Sequence, residues 1–193
     1  MQVYNTHERR LDAAPDEVGA LLDTLASDDD RLWPRGSWPA FLLDGPLAVG
    51  SAGGHGPVRY TVEEYVPGRR LRLRFGAPRG FDGFHEFTVR PACSDGTDGP
   101  ASPGSPAGPA SPAVPDSTVL AHLLAMRAHG PARVSWPLVF GPLHDALFED
   151  LLDRAEHAVA GRVRRPARWS AWVRLLRAVL ARTAPAPRHQ PVG

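Results

Sequence analysis

The residues best suited to chemistry in this sequence are three histidines and a tyrosine that fall on apolar faces. In the segment 84–90, Phe87 marks the buried side, and the two-residue strand period brings His85 to the same side. His122 alternates with apolar residues in a strand, His144 interrupts an apolar helical stripe, and strand parity points Tyr60 inward. Imidazole and phenol groups that converge on an apolar pocket can orient a ligand, and histidine can move protons near neutral pH.

These four residues also have a structural interpretation, in which each imidazole is hydrogen-bonded within the core. Burial of three imidazoles costs stability, so the two interpretations stay open. No two of the three histidines have the short spacing of zinc ligands, and the single cysteine, Cys93, adjoins a low-complexity segment. The sequence therefore predicts neither a metal site nor a cofactor.

Other candidate motifs are weaker. Glu63 and Glu64 are adjacent and point to opposite faces of a strand, and Glu86 points away from His85, so no carboxylate pair is predicted. The glycine-rich segment 50–56 lacks the Gly-Lys-Ser/Thr ending of a phosphate loop and precedes a strand, which argues against nucleotide binding. We expect 50–56 to be a turn, in which His55 could line the mouth of a cavity but is favoured as a plain turn residue. Catalytic residues stay unknown at this stage.

A helix over residues 131–160 must position His144, because this is the longest segment with an unbroken helical period. Leu147 and Leu151 belong to its apolar stripe, which predicts one broad buried face. Four acidic residues fall on the opposite side: Asp145, Glu149, Asp153 and Glu156. Such a helix needs a sheet that curls around it.

The preceding chain supplies the strands for such a sheet. A helix starting at Pro15 follows the first strand. The strand 117–128 is apolar on both faces, so we expect it to be central in the sheet or covered on both sides. The aromatic segment 33–39 contains two prolines and is predicted to fold over the core as a lid. Its Trp33 and Trp38, together with Trp136, could close over a ligand or cap the core. The predicted strands are 2–12, 41–44, 47–50, 58–66, 69–75, 84–90 and 117–128.

Composition limits the class of protein. All 22 basic residues are arginine, which is typical of a high-GC bacterial genome. One cysteine excludes an internal disulfide and favours a reducing, cytoplasmic compartment. The sequence has no apolar run long enough to span a membrane and no signal-peptide pattern. Residues 92–116 consist mainly of Pro, Ser, Gly, Ala and Asp, which predicts a disordered hairpin loop.

The last 33 residues form a separate basic segment. All 21 acidic residues precede position 161, whereas eight arginines follow it. Between 167 and 182, Trp169 and Trp172 share a helical face, while Arg174 and Arg177 lie opposite. This pattern favours peripheral contact with an anionic membrane surface, or docking on the domain or a partner protein. No nucleic acid is expected as a partner, because the arginines fit no recognised binding motif. Residues 184–193 are predicted to be frayed.

The order of elements and one strand-turn-strand segment resemble a known family. Residues 60–71 read YTVEEYVPGRRL, residues 83–87 read GFHEF, and a long helix follows. On these features the chain resembles the START-like superfamily, also called SRPBCC or polyketide cyclase/dehydrase and lipid transport proteins, over residues 2–160. The resemblance implies an α+β helix-grip fold, in which a curled antiparallel sheet wraps around a long C-terminal helix. It divides the chain into a domain at 1–160 and a basic amphipathic helix with a frayed tail at 161–193.

The resemblance also implies a hydrophobic cavity between the sheet and the helix. Its members include carriers and cyclases, so the fold does not choose a function. We expect a non-catalytic protein that binds a lipid-, polyketide- or sterol-like molecule; the alternatives are a cyclase or aromatase that uses histidine and tyrosine for proton transfer, and an interaction module without a cavity. The predicted ligand-binding residues are Tyr60, His85, His122, His144, Trp33, Trp38, Phe87, Leu124, Met126, Trp136, Leu147 and Leu151.

Overall fold

The computed structural model of the chain describes residues 1–92 and 117–183. The predicted disordered loop therefore lies outside the described residues except at Ala92, and so does the predicted frayed end at 184–193. Within the described ranges, the chain forms a long sheet followed by helices. The strands are β1 (Gln2–Leu11), β2 (Leu42–Leu43), β3 (Ala52–His55), β4 (Val58–Val66), β5 (Arg70–Ala77), β6 (Phe81–Pro91) and β7 (Thr118–Ala128); the helices are α1 (Pro15–Asp23), α2 (Ala132–Ser135), α3 (Gly141–Ala160) and α4 (Ala171–Thr183).

All seven described strands join one curled antiparallel sheet in the order β1-β7-β6-β5-β4-β3-β2. Because side chains alternate along each strand, the sheet has one face toward α3 and one toward solvent. In β7, His122 and the even-numbered residues around it are buried, whereas Val119 and Ala121 on the other face are only half-buried. β7 is therefore an interior strand between β1 and β6, which agrees with the expectation of a central strand, whereas its second face is not covered by the described residues.

The glycine-rich segment also differs from the predicted turn. Residues Ala52–His55 form β3, which pairs with β4 on one side and with β2 on the other. A side chain at Gly53 would collide with the backbone of Leu42, so glycine permits the close approach of β2. The glycines of this segment allow close pairing of the strands rather than a loop. His55 is therefore part of the sheet, at the end of β3.

The predicted helix 131–160 is interrupted. After α2, residues Trp136–Phe140 form a π-helical segment, in which the N–H of Gly141 donates to the carbonyl of Trp136. Pro137 and Pro142 have no N–H to donate, which disfavours the regular α-helical bonding pattern across this region. The interruption turns Trp136 inward before α3 begins, and α3 then runs without a break until Gly161, which adopts φ +68°.

The acidic side of α3 contacts the edge strand β1, and its exposure falls from 51% at the Asp145 side chain to 6% at that of Glu156. Arg9 on β1 donates to Glu149 at 3.0 Å, to Asp153 at 2.5 Å and to Glu156 at 3.0 Å. Glu156 is only 5% exposed. The inward positions of β1 are polar because they meet these carboxylates, which explains the poor hydrophobic alternation of this strand. The ion pairs hold α3 against the β1 edge of the sheet.

Helix α1 closes one end of the core. Its Val18, Leu21 and Leu22 are buried. At Gly19 a Cβ atom would lie 2.4 Å from the carbonyl oxygen of Gly68, so glycine allows the helix to touch the β4–β5 turn. The other end of the concave face is left to the π-helical segment and the start of α3, and the pocket described below lies there.

Candidate ligand pocket and imidazole cluster

A pocket of about 140 Å³ lies between the concave face of the sheet and the first two turns of α3. Inward residues of β4, β5 and β6 form its floor, and the π-helical segment and α3 form its roof. Leu180 of α4 closes part of the opening. The lining is mainly apolar and aromatic, and consists of Trp38, Pro39, His55, Gly56, Pro57, Val58, Tyr60, Phe75, Phe81, His85, Trp136, Val139, Phe140, Leu143, His144, Leu147, Phe148 and Leu180.

A continuous chain of polar side chains crosses the floor of the pocket. His55 Nε2 lies 3.2 Å from the Tyr60 hydroxyl oxygen, and that oxygen lies 3.4 Å from His85 Nε2. His85 Nδ1 lies 2.7 Å from His122 Nε2. A neutral imidazole has one N–H and one acceptor nitrogen. Each side chain in this series can therefore donate a hydrogen bond to one neighbour and accept one from the other, from the pocket to His122. Four strands position it: β3 carries His55, β4 carries Tyr60, β6 carries His85 and β7 carries His122.

His144 reaches the same cluster from α3. Its ring centroid lies 5.3 Å from that of His85 and 5.2 Å from that of His122. Its Nδ1 lies 3.4 Å from Asp145 Oδ1, and Asp145 also contacts His7 Nε2 at 3.3 Å. Phe148, one turn later, stacks on His122 with ring centroids 3.5 Å apart. The cluster is therefore packed between the sheet and α3.

Burial sets the protonation of these groups. Desolvation lowers the pKa of His85 and of His122 well below the usual value, and neighbouring histidines add to the effect. Desolvation likewise lowers the pKa of His144 to about 4, although the hydrogen bond to Asp145 opposes it. Burial raises the pKa of the Tyr60 phenol. At neutral pH the cluster therefore consists of neutral imidazoles and a neutral phenol.

His7, on the solvent side of His144, behaves in the opposite way. Burial would lower its pKa, but hydrogen bonds to Asp145 and Glu149 outweigh this, so the pKa of His7 is raised. Its Nδ1 lies 2.9 Å from Glu149 Oε1. The carboxylates of α3 thus favour protonation of His7 at the β1 edge, although its ring lies only 5.6 Å from that of the neutral His144.

Two nitrogens of the cluster are buried without a hydrogen-bond partner among the described residues: His122 Nδ1 and His144 Nε2. Unpaired polar atoms in a core are unfavourable, and they are uncommon in native proteins. One nitrogen from each of His85, His122 and His144 can be chosen so that all three lie within 4.8 Å of one another. The cluster therefore has capacity to bind a polar group or an ion.

The structure places half of the predicted ligand-binding residues at the pocket surface: Trp38, Tyr60, His85, Trp136, His144 and Leu147. His122 lies one layer deeper and touches the pocket through His85. Trp33 and Phe87 border a separate void of about 10 Å³, and the Trp33 indole donates to the carbonyl of Pro39. Leu124 and Met126 pack near Trp136, and Leu151 lies in the main core away from the pocket.

Sequence reasoning missed several lining residues. His55 was expected to be a turn residue, and it reaches Tyr60 because its segment is a strand. Phe75 lies at the end of the predicted strand 69–75, and Phe81 lies before the predicted start of the strand 84–90. Phe140 belongs to the π-helical segment, whose phase a regular helical period does not predict. Phe148 follows Leu147 of the apolar stripe, and this position is the available signal.

The C-terminal helix docks on the domain. Asp150 accepts hydrogen bonds from the indoles of Trp38, at 2.7 Å, and Trp169, at 2.9 Å. The guanidinium of Arg177 lies over both rings, at 4.3 and 4.0 Å from their centroids. Arg177 therefore lies on the docked side of α4, contrary to the predicted separation of tryptophans and arginines. Val173 is buried in this contact, whereas Trp172 is 46% exposed.

Comparisons with known proteins support the fold. No protein-family model matches the chain, and no curated protein matches it. Among solved structures, a protein from Thermobifida fusca has a TM-score of 0.55 and 14% identity, covering 86% of this chain and 99% of its own. Truncated norcoclaurine synthase from Thalictrum flavum has a TM-score of 0.55 and 15% identity, covering 83% and 94%. The same synthase in complex with dopamine and hydroxybenzaldehyde has a TM-score of 0.54 and 14% identity, covering 86% and 90%.

Within the described residues, no helix has both the length and the apolar character needed to span a membrane. The sheet order, the long helix and the structural neighbours agree with the resemblance seen in the sequence. The chain has an α+β helix-grip fold, in which a curled antiparallel sheet wraps around a long C-terminal helix.

Proposed function

We propose that this protein binds a small aromatic molecule that carries a polar substituent. The observation that carries the proposal is an apolar pocket of about 140 Å³ whose floor includes the polar side chains of Tyr60 and His85. Aromatic walls suit a flat ring, because edge-to-face contacts add to the burial of apolar area. Norcoclaurine synthase, which shares the fold, has been solved with two small aromatic molecules, dopamine and hydroxybenzaldehyde.

The volume of the pocket supports a ligand of about one ring. An engineered cavity of about 150 Å³ in another protein accommodates benzene, whereas sites for drug-sized ligands span roughly 300–1,000 Å³. A lipid, sterol or polyketide chain would need a wider pocket than the structure shows. Leu180 of α4 contributes to the opening, so displacement of this helix is the route by which a longer ligand would fit.

The polar floor supports a ligand with a hydrogen-bonding group. A phenol hydroxyl at this position could donate to a neutral imidazole and accept from the Tyr60 hydroxyl. A ligand that lacks this group would leave buried polar atoms unpaired, and such mismatches reduce affinity strongly. We therefore expect phenol to bind more tightly than toluene, which has a similar shape.

Calorimetric titration with phenol and toluene tests the proposal. Native mass spectrometry of the full chain, purified without detergent, searches for the natural ligand. Leu143→Trp fills the pocket and should abolish phenol binding. Leu175→Trp is the matched control, because Leu175 is 53% exposed on α4 and does not line the pocket. Equal binding by the two variants, or no binding of any single-ring probe by the wild type, would refute the proposal.

A second candidate function is an enzyme that transfers a proton on a bound aromatic ketone. The hydrogen-bonded sequence His55, Tyr60, His85 and His122 favours it, because a neutral imidazole beside a phenol can act as a base next to a hydrogen-bond donor. Exchange of the methyl protons of acetophenone for deuterium, followed by NMR, measures this step directly. An enzyme should lose exchange but keep binding in His85→Gln, whereas a binding protein should show no exchange above buffer in either form.

Contact of α4 with an anionic membrane or a partner protein through Trp169, Trp172, Arg174 and Arg177 stays a prediction. Trp169 and Arg177 are engaged with the domain, so such contact would compete with docking. Co-sedimentation with vesicles containing phosphatidylserine, compared with neutral vesicles, tests the membrane alternative.

A further inference from the structure

We propose that His85, His122 and His144 form a binding site for a divalent transition metal that prefers nitrogen ligands, of which zinc is the representative. One nitrogen from each ring can be chosen so that all three lie within 4.8 Å of one another. Three histidines and one open position make up a common catalytic zinc arrangement. This site lies beneath the proposed aromatic pocket but does not depend on ligand binding there.

The geometry needs only small adjustments to hold a metal. Tetrahedral bonds of about 2.1 Å to nitrogen place the ligand atoms about 3.4 Å apart. His85 Nδ1 and His122 Nε2 are 2.7 Å apart, which is closer than this, and the longest separation in the group is below 4.8 Å. Small rotations of the rings about their side-chain bonds would bring the three distances to a common value.

The hydrogen bonding of His144 matches that of a metal ligand. A ligating histidine usually directs its second ring nitrogen to a carboxylate, which fixes the ring and raises its basicity. His144 directs Nδ1 toward Asp145 at 3.4 Å, and its Nε2 is buried without a partner among the described residues. Asp145 is itself held by the side-chain amide of Asn5 at 2.8 Å. The unpaired Nε2 is therefore the natural donor to a metal.

The surroundings favour nitrogen-preferring metals over calcium or magnesium. The three donors are uncharged imidazoles, and harder cations prefer carboxylate and carbonyl oxygens. Phe148 covers His122, so the cluster is shielded from water on that side. His85 and His144 also line the pocket, so the open coordination position would face the space where a ligand binds.

A second group of possible donors lies nearby but is a weaker candidate. His7, His144 and Asp145 also meet the distance criterion. However, the Asp145 side chain is 51% exposed, and it already contacts Asn5 and both histidines. The buried group of three histidines offers His144 Nε2, an unpaired buried atom that a metal would satisfy. Sequence spacing gave no hint of it, because its members lie on β6, β7 and α3.

Metal binding by the full chain tests the proposal. After removal of metals with a chelator, Zn²⁺ is titrated against a chromophoric chelator, and Co²⁺ is added to record its visible spectrum. We expect one equivalent of either ion per chain and the intense absorption of four-coordinate Co²⁺. Failure of the wild type to bind either ion above the level of nonspecific surface binding would overturn the proposal, whatever the result of the phenol titration.

Variants locate the site. His122→Phe should weaken Zn²⁺ binding at least 100-fold while leaving the pocket lining intact. His157→Ala removes an exposed histidine and is the matched control, and His7→Ala tests the neighbouring group. Unchanged affinity in His122→Phe, or equal loss in His7→Ala, would overturn the assignment. If His122→Phe does not fold, His85→Gln with the same Zn²⁺ titration decides the question, because His85 belongs only to the group of three histidines.

Discussion

The two halves of α3 face the same sheet but very different interiors. The first half, which carries His144 and Leu147, lies over a pocket and a cluster of buried imidazoles. In the second half, Leu151 and Ala155 are fully buried in a close-packed apolar core. Aliphatic residues throughout would give a more stable domain, because buried polar groups cost free energy unless fully paired. The difference indicates that the first half is shaped for binding and the second for stability.

The largest expected effect is acid destabilisation of the imidazole half. The unfolded chain binds protons at histidine near pH 6.5, whereas His144 in the folded chain does not until about pH 4. The free energy of unfolding should therefore fall as the pH drops below 6.5, by about 2 kcal/mol at pH 5 for His144 alone. His85 and His122 act in the same direction. Urea unfolding at pH 7, 6 and 5 in the presence of a chelator measures this, and a flat profile would contradict it.

A cavity in the packed half is expected to have a smaller effect than the three imidazoles together. Leu151→Ala should lower the free energy of unfolding by about 3 kcal/mol, because Leu151 is fully buried and its neighbours cannot fill the space. Phenol affinity should not change. Leu147→Ala is the paired variant: it borders an existing pocket, so it should cost less stability but alter phenol affinity. Urea unfolding and calorimetry on both variants make the test, and equal behaviour would remove the distinction between the halves.

The two changes above lower the free energy of unfolding, whereas replacing the paired imidazoles by apolar residues should leave it unchanged or raise it. In the double variant His85→Leu/His122→Leu, both partners of a buried polar contact are removed together, which is often neutral or stabilising by about 1 kcal/mol. We expect stability at pH 7 to be at least that of the wild type, with loss of the preference for phenol over toluene. A strong loss of stability would show that the cluster is structural.

The smallest effect concerns the contact between α4 and the domain. Arg177→Ala removes a cation–π contact over Trp38 and Trp169, which is worth about 0.5–1 kcal/mol. Limited proteolysis should cut the C-terminal segment faster in this variant, with little change in global unfolding. Arg182→Ala is the control, because Arg182 is exposed on α4 and does not lie over the two indoles. Equal cleavage rates in both variants would mean that this contact does not hold the tail.

Much of the fold could be predicted from local pattern. β4 matches its predicted bounds, and the Pro67–Gly68 turn, β5 and most of β6 follow from alternation and turn residues. The bounds of β3 and the π-helical segment could not be predicted. Glycines that permit close strand pairing resemble turn glycines, and a π-helical segment shifts the phase on which helical-face reasoning rests.

Charge patterns were less informative than apolar ones. The acidic stripe of α3 resembles a solvated face, and only the placement of Arg9 on the adjacent strand turns it toward the sheet. Arg177 likewise resembles a solvent-facing residue, but it packs on two indoles that are distant in sequence. Long polar side chains can face solvent or a partner element with equal local propensity, so contacts that are distant in sequence decide their direction.

The sequence by itself determined that a curled antiparallel sheet would pack on a long C-terminal helix, because hydrophobic periodicity is a local property that fixes which face of each element is buried. It also determined that Tyr60, His85, His122 and His144 would point inward. Only the tertiary structure decided that the imidazoles meet one another, since their distances depend on the register between β6 and β7 and on the phase of α3 after the π-helical segment. It also decided the volume of the pocket, because that volume is the space left when side chains from all these elements have packed.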